Sequence, residues 1–387
     1  MKQGWEYKRL REIGHIVTGS TPSTKDETNY SPREYCFVKP SDLPSQGIAL
    51  IEETEYYVSS KGLSKSRVLP TGSVLVSCIG SIGKIGILTK EACSNQQINA
   101  IIPKNDIDSK FIAYSIYAYR FLLESIANAP VVPIINKTDF SKIQIPLPPK
   151  FTQLSIVSEL DKINELIRLK QEQLKDYDNL AQSIFYEMFG DPVENEKGWE
   201  VKKIGEIGSV ERGAGISKKD FVEDGLPCIH YGQLHTILGA RTKKHYTSIP
   251  HDLLPKYKVA HTGDLVMAIT SEDVEGSCKS TAWLGNYDVI VGSDAAILHH
   301  EQDGTFLSYY TMTKAFYNEK AKYAKGFKVT HISTKEIEKI SVFLPPLPLQ
   351  HLFAQRIEQI ERQKSAVQKS ITDLETILAS RMQYWFE

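Results

Sequence analysis

The feature that most limits how this chain can fold is an internal duplication at an offset of about 195 residues. Gly4-Trp5-Glu6-Tyr7-Lys8 returns as Gly198-Trp199-Glu200-Val201-Lys202, and each copy is followed by Glu-Ile-Gly, at Glu12-Ile13-Gly14 and Glu206-Ile207-Gly208. Thr71-Gly72-Ser73-Val74-Leu75 returns as Thr262-Gly263-Asp264-Leu265-Val266. Leu147-Pro148-Pro149, followed by Gln153, returns as Leu344-Pro345-Pro346, followed by Gln350. The period is far longer than the roughly 20–50 residues of solenoid units. It marks a duplicated module, which predicts a pseudo-twofold cyclic arrangement with two comparable working surfaces. Such an object suits a target that is itself in two parts.

Two segments stand apart from the rest. From Gln153 to Phe189 there is no Gly or Pro, and Leu160, Ile163, Ile167, Leu174, Tyr177, Ala181, Ile184 and Met188 follow a 3-4 spacing with Lys170 as the polar member. Ile357, Ile360, Val367, Ile371, Leu374, Leu378 and Trp385 repeat it, with Lys364 and Arg381 as exceptions, and the two series keep phase at an offset of 197. Spacing near 3.5 marks a coiled-coil seam. Proline clusters precede both helices, at Pro146-Leu147-Pro148-Pro149 and Pro345-Pro346-Leu347-Pro348, and Gly190-Asp191-Pro192 stops the first. Antiparallel pairing of the two helices is the symmetric solution; docking of each helix on its own domain is the alternative. The chain starts where a second copy of the 190–198 linker would finish, so the ends are expected to lie close enough to join.

The blocks between, 1–145 and 192–342, carry short apolar runs (Ser73–Cys78, Ile98–Ile102, Leu265–Ile269, Asp288–Val291) separated by turn residues. They predict twisted antiparallel sheets with a few helices, such as Lys110–Ser125 and Thr305–Tyr317. The expected fold class is α+β: two β-rich mixed domains, at 1–145 and 192–342, and two long helices, within 146–191 and 343–387, pairing as an antiparallel coiled coil. At 41% hydrophobic and 24% charged, the composition is that of an ordinary globular protein. No apolar run approaches the roughly 20 residues that span a bilayer, and Met1-Lys2-Gln3-Gly4-Trp5 lacks a signal-peptide core. Five cysteines without a C-x-x-C pair read as reduced thiols, so the expected compartment is the cytoplasm. A net charge of −1 offers no global basicity, and residues 1–145 carry only 17 basic against 14 acidic side chains. Nucleic-acid binding would therefore rest on local clusters.

Catalytic signatures are missing. Gly80-Ser81-Ile82-Gly83-Lys84-Ile85-Gly86 fails as a phosphate loop, because the positions that need Gly and Ser/Thr hold Cys78 and Ile85. It reads as a tight turn between strands with Lys84 at its tip, and its counterpart, Thr270 to Lys279, is longer and acidic. Nine of the ten histidines lie in the second half, none at zinc-ligand spacing, and neither G-x-S-x-G nor H-E-x-x-H occurs. No metal and no catalytic residue is assigned. What remains are polar clusters in turn-rich segments. The first block supplies Ser20, Thr21, Ser23, Lys39, Ser41, Lys61, Lys65, Arg67, Lys84 and Gln96. The second supplies Lys218, Lys219, His230, Tyr231, Gln233, Arg241, Lys243, Lys244, Lys279, Lys325 and Lys328. Lysine and arginine neutralise phosphates, while Arg, Gln and Ser read base edges. Asn95-Gln96-Gln97 is also suited to satisfying backbone in a sheet. A shared framework with divergent loops fits two readers of two different words.

On these residues the chain resembles the specificity subunit of Type I restriction–modification enzymes. The likeness spans nearly all of it and is densest at Gly19-Ser20-Thr21-Pro22-Ser23, Val38-Lys39-Pro40-Ser41-Asp42-Leu43, Gly83-Lys84-Ile85-Gly86 and Asn95-Gln96-Gln97. The second block lacks the Thr-Pro-Ser and Asn-Gln-Gln elements. The resemblance implies a non-catalytic DNA-binding subunit whose two target-recognition domains each bind one half of a split site in double-stranded DNA. It implies that the helices set the spacer and dock two methyltransferase subunits, with restriction/translocase subunits as further partners. S-adenosylmethionine and ATP are then expected on those partners, and no cofactor on this chain. Alternatives are a methylation-only or Type IIB-like specificity protein, a coiled-coil scaffold that binds no DNA, and an enzyme built on the glycine loop.

Overall fold

The structure, a computed structural model, describes residues 4–127, 132–216, 218–251, 257–326 and 329–386. It divides into two compact units: unit 1 is 1–171 with 369–387, and unit 2 is 172–368. Each long helix therefore gives one end to each unit.

The described residues of unit 1 form ten strands: β1 (Glu6–Arg9), β2 (Gly14–Thr18), β3 (Tyr35–Val38), β4 (Ile48–Ile51), β5 (Tyr57–Val58), β6 (Val74–Ser77), β7 (Ile85–Leu88), β8 (Ala92–Ser94), β9 (Ile98–Pro103) and β10 (Gln144–Leu147). They form a five-stranded sheet in the order β2-β9-β6-β7-β4, a smaller sheet β5-β3-β8 and a ribbon β1-β10. Val74 and Val76 of β6 face a core completed by Ile112 and Ile116 of helix Ser109–Ala118. Leu75, between them, faces Cys36, Val38 and Ala92 of the smaller sheet. Covered on both faces, β6 and β7 read as continuous apolar runs rather than alternating ones.

Unit 2 repeats this plan with β11 (Glu200–Lys203), β12 (Gly208–Arg212), β13 (Leu226–Ile229), β14 (Arg241–Thr242), β15 (Thr247–Ile249), β16 (Lys258–Ala260), β17 (Leu265–Ala268), β18 (Thr270–Ser271), β19 (Ser280–Trp283), β20 (Val289–Val291), β21 (Ala295–His300), β22 (Thr330–His331) and β23 (Ser341–Leu344). Its five-stranded sheet runs β12-β21-β17-β19-β14, position for position the order of unit 1. The smaller sheet, β15-β13-β20-β16, gains one strand, and β18-β22 forms a short extra ribbon.

Three expectations need correction. The sheets are mixed, because β3 pairs with β8, β4 with β7, β13 with β20 and β14 with β19 in parallel. Each expected helix is two, Ser109–Ala118 then Arg120–Ile126, with the break at Tyr119, and Gly304–Tyr310 then Lys314–Ala321, where the Thr313 hydroxyl accepts from Phe316 N and starts a new helix. Pro146 lies inside β10, opposite Tyr7, where a two-stranded ribbon has a free edge that tolerates the missing N–H.

The repeated phrases now have physical causes. Gln153 donates to Pro148 O (2.9 Å) and accepts from Asp108 N (3.0 Å); Gln350 does the same with Pro345 O (2.7 Å) and Asp303 N (3.0 Å). Each glutamine thus ties a proline entry to the residue that caps the next domain helix. Glu12 accepts from Arg9 N (2.7 Å) and Glu206 from Lys203 N (2.6 Å), closing a short helical turn before β2 and β12. A Cβ on Gly14 would lie 2.7 Å from Ile102 O, and one on Gly208 would lie 2.0 Å from His299 O, so only glycine fits either place.

The long helices run Lys150–Phe189 and Leu347–Phe386, 40 residues each. Pro348 sits in the first turn of the second, where its missing N–H costs nothing. Gly190 ends the first with φ +78°. In unit 1 the start of the first helix (Ile156, Val157, Leu160) shares a core with the end of the second (Met382, Phe386) and with Phe111 and Tyr114. In unit 2 the end of the first (Ala181, Phe185, Met188, Phe189) meets the start of the second (Phe353, Ile357, Ile360) and Phe306. The helices therefore pair antiparallel, and their ends also dock on the sheet domains, so the two sequence readings combine. Leu160, Ile357, Ile360, Val367 and Ile371 are buried, and Ile163, Ile167, Leu174, Ile184, Leu374 and Leu378 half-buried. Two of the polar seam positions bind carboxylates of the facing helix, Lys364 to Asp178 (2.7 Å) and Arg381 to Glu159.

Candidate nucleic-acid interface

In unit 1, β2, β3, β6 and β8 all end at one edge of the two sheets, and the polar clusters gather there. The chain leaves β2 through Gly19, whose Cβ would fall 2.1 Å from Asn95 O, so a glycine must make this turn. Gly19 N donates to Ile98 O (2.9 Å) and Ser20 N to Ser94 O (2.8 Å), which fixes the loop against the start of β9. Asn95 and Gln97 bond each other (2.7 and 3.1 Å), and Asn95 N reaches Val38 O (3.1 Å). They satisfy backbone. Gln96 alone of the three projects outward, where Thr21 Oγ1 donates to its Oε1 (2.6 Å).

The cations at this edge are braced by the protein. Lys39 Nζ lies 3.0 Å from the Tyr56 ring centroid, a cation–π contact. Lys61 and Lys65 follow β5, which runs out beside the start of β3 and not its end; each reaches Asp26 at 3.1 Å, and the Thr28 hydroxyl, then Lys65 and Lys61, hold that carboxyl well below its usual range. Arg67 donates to Thr18 O (2.6 Å). Lys84 is not at the hairpin tip. It stands opposite Ser77 where β7 begins, and its Nζ turns back to Pro40 O (3.2 Å) beside the exposed Ser41. Ser23 is exposed in the same loop as Thr21.

Unit 2 builds the same edge from different residues. Gly213 takes the place of Gly19, with its Cβ 2.1 Å from Gly292 O. Lys39-Pro40-Ser41-Asp42, whose Asp42 accepts from Lys39 N (2.7 Å), has its counterpart in His230-Tyr231-Gly232-Gln233, whose Gln233 accepts from His230 N (2.9 Å). Both close a short helical turn after the strand that pairs in parallel. Lys279 Nζ donates to His235 O (3.2 Å), as Lys84 does to Pro40 O. Between these parts lies a cleft of about 1350 Å³, lined by Tyr231, His235, Lys279, Lys314 and Tyr317 among others.

Residues that the sequence did not single out shape this cleft. Lys320, buried, donates to Glu275 O (2.7 Å) and Ser277 O (2.5 Å) and so anchors the acidic 271–279 loop; burial lowers the pKa of its amine. In sequence it stands between Glu319 and Ala321, two residues before Lys322, and looks like any exposed helix lysine until the fold buries it.

Other selected residues do not join this edge. Arg241 is largely buried against Glu358 of the second long helix, and Lys243 reaches the same carboxylate at 3.0 Å. Their charge is spent within the fold, with Lys243 and then Arg241 holding the Glu358 carboxyl below its usual range. Lys219 and Lys244 are exposed, whereas Lys325, exposed and paired with Glu336 (2.5 Å), does adjoin the edge, its backbone bonded both ways to His331, the partner of the cleft residue Thr270. The side chain of Lys218 and the whole of Lys328 lie outside the described residues. No helix of the described residues is long and apolar enough to cross a membrane.

A mixed-sheet domain present twice, each copy with divergent polar loops on the matching edge and each followed in sequence by one of two paired long helices, has the plan of a DNA-specificity protein. Residues 2–176 and 196–376 each match the family model of the Type I restriction modification DNA specificity domain, and the chain belongs to that family. It is 23% identical to the Type I restriction enzyme MjaIX specificity subunit of Methanocaldococcus jannaschii, over 96% of this chain and 90% of that one. It is 25% identical to the MjaVIII specificity subunit of the same organism, over 93% and 86%. The HindI specificity subunit of Haemophilus influenzae is 29% identical over 41% of this chain and 36% of its own. Two solved folds are similar: a chain from a study of complex assembly and conformational transition of the type I R-M system (TM-score 0.61, 18% identity, 99% and 97% covered), and the Type-I restriction-modification system S subunit from M. genitalium (TM-score 0.55, 13% identity, 99% and 96% covered).

Proposed function

We propose that this chain is the sequence-reading, non-catalytic subunit of a Type I restriction–modification complex. It recognises a split site in double-stranded DNA in the cytoplasm. Target-recognition domains at 1–145 and 192–342 each take one half-site. The helices within 146–191 and 343–387 fix the spacer and carry two methyltransferase subunits, to which restriction subunits are added. S-adenosylmethionine and ATP act on those partners.

One observation supports this reading above the rest. The two edges share a framework, with Gly19 matched by Gly213, Asp42 by Gln233 and Lys84 by Lys279, yet the outward side chains differ. A framework held constant under changed side chains is what two readers of two words require. Lysines braced by carbonyls or rings are pre-oriented for phosphates, which position the protein without reading sequence.

The test is the salt dependence of DNA binding by the complex of this chain with its methyltransferase subunits. Each phosphate contact adds about 0.9 to the slope of log K against log salt. Lys39→Ala and Lys84→Ala should each lower the slope by about 1 and weaken binding to specific and non-specific DNA alike. Slopes unchanged in both variants would remove this edge from the interface.

A further inference from the structure

One position on the reading edge differs in kind between the units while the backbone pairing that carries it is shared. In unit 1 the stretch before Asn136 runs antiparallel to the start of the β6–β7 turn. Ile135 N donates to Cys78 O (2.9 Å), Gly80 N to Pro133 O (3.0 Å), and Ile79 and Ile134 form the bridge between them. In unit 2, Ile332 N donates to Ile269 O (3.0 Å), and the next pair outward is Thr270 opposite His331. Ile79–Ile134 and Thr270–His331 therefore occupy the same place in the fold. Directly opposed residues of an antiparallel pair present their side chains on one face. Unit 1 presents two branched aliphatics there, Ile134 being 41% exposed; unit 2 presents a hydroxyl and an imidazole in contact at 3.3 Å.

Packing does not account for the difference. A position that the core needed apolar would be apolar in both copies, as Ile135 and Ile332, buried one residue on, are. Ile134 is instead left exposed, as is Val132 two residues before it, beside the turn that carries Lys84. The apolar feature that duplex DNA offers to a major-groove reader is the C5 methyl of thymine.

We propose that the cross-strand pair Ile79–Ile134 reads a thymine methyl in the half-site of unit 1, whereas the matching Thr270–His331 pair of unit 2 meets a hydrogen-bonding base edge. This rests on the DNA-reading function proposed above.

The experiment uses the chain in complex with its methyltransferase subunits and duplexes carrying its recognised site. Deoxyuridine replaces thymidine one position at a time, removing only the methyl. One substitution in the unit 1 half-site should weaken binding about 4-fold, as expected for one buried methyl, and substitutions in the unit 2 half-site should have no effect. Ile79→Ala and Ile134→Ala should bind thymine and uracil duplexes equally, while Ile134→Val keeps the preference. Two outcomes would overturn the proposal: a unit 1 half-site indifferent to every uracil substitution or without thymine, or a preference that survives both alanine variants. Alanine variants that weaken binding without any uracil effect would assign the pair to a wedge between base steps instead. A complex that binds no duplex specifically would fail at the earlier step and sink the DNA-reading function itself.

Discussion

Trp5 lies stacked on Trp385, ring centroids 6.4 Å apart and planes within 7°. Trp385 Nε1 also donates to Glu159 (3.0 Å), whose carboxylate holds Arg381 as well. In unit 2 the repeated tryptophan acts differently: Trp199 Nε1 donates to Phe189 O (2.8 Å), closing the turn that leads out of the first helix. Each tryptophan thus fastens the start of a sheet domain to the end of a long helix, once through a covalent linker and once without one.

The stack makes the two ends of the described chain neighbours. A circular permutant joined from Phe386 to Gly4 by a linker of about 6–8 residues, and opened at Glu194–Lys197, should fold, because close ends tolerate such a change. Circular dichroism and a thermal melt check it. The permutant should melt within a few degrees of the parent, and Trp385→Ala should lower both by roughly 2 kcal/mol from lost burial and stacking.

The paired glutamines give a second outcome. Gln153→Leu keeps the size but leaves Asp108 N–H and Pro148 O without their partners, and Gln350→Leu does the same to Asp303 and Pro345. Each should cost roughly 2–4 kcal/mol in urea unfolding, since two buried groups lose their bonds. A loss below about 0.5 kcal/mol in both would remove the lock from the account.

Glu336 sets a pH dependence. Lys325 first, then the Ser333 N–H and hydroxyl, hold its carboxyl down to about 2. A lowered folded value means that the stability it contributes is full above the unfolded value of roughly 4.3 and is lost as pH falls through about 2. The stability gap between the parent and Glu336→Gln should therefore be constant from pH 7 to 5 and shrink below pH 4.5. A gap independent of pH down to 2.5 would contradict the assignment.

The duplication, both long helices and their seam were legible because each is a local periodic signal. Val74–Ser77 and Leu265–Ala268 were legible as short, continuous apolar runs between turn residues. The parallel partners of β7 and β8 were not, since β4 and β3 lie far away in the chain and only the packed sheet decides that they are neighbours. On the edge, the sequence marked Thr21, Gln96 and Lys84 but not their roles. The match of Lys39–Asp42 with His230–Gln233 was hidden because the backbone turn is shared while no side chain is. Arg241 shows the opposite error: a basic residue near two lysines looks like a DNA contact until the helix brings Glu358 against it.

Under the proposed function the helices act as a ruler. At 1.5 Å per residue their 40 residues run about 60 Å, or roughly 17–18 base pairs at 3.4 Å. A heptad inserted into the first helix alone should unfold or aggregate the protein, because it keeps the seam's phase but makes one helix about 10 Å longer than a partner of fixed length. Matched heptads in both should lengthen the non-specific spacer by about 3 base pairs, read from the methylated sites of the complex. An unchanged spacer in a folded double insertion argues against the ruler.

The central claim is that each unit reads one half of a split site. Methylome sequencing of cells expressing this chain with its methyltransferase, beside a chimaera in which residues 1–145 come from a relative, tests it most directly. One half of the methylated site should change, with the other half and the spacer retained. A chimaera that folds and methylates but changes both halves, or neither, would contradict the account.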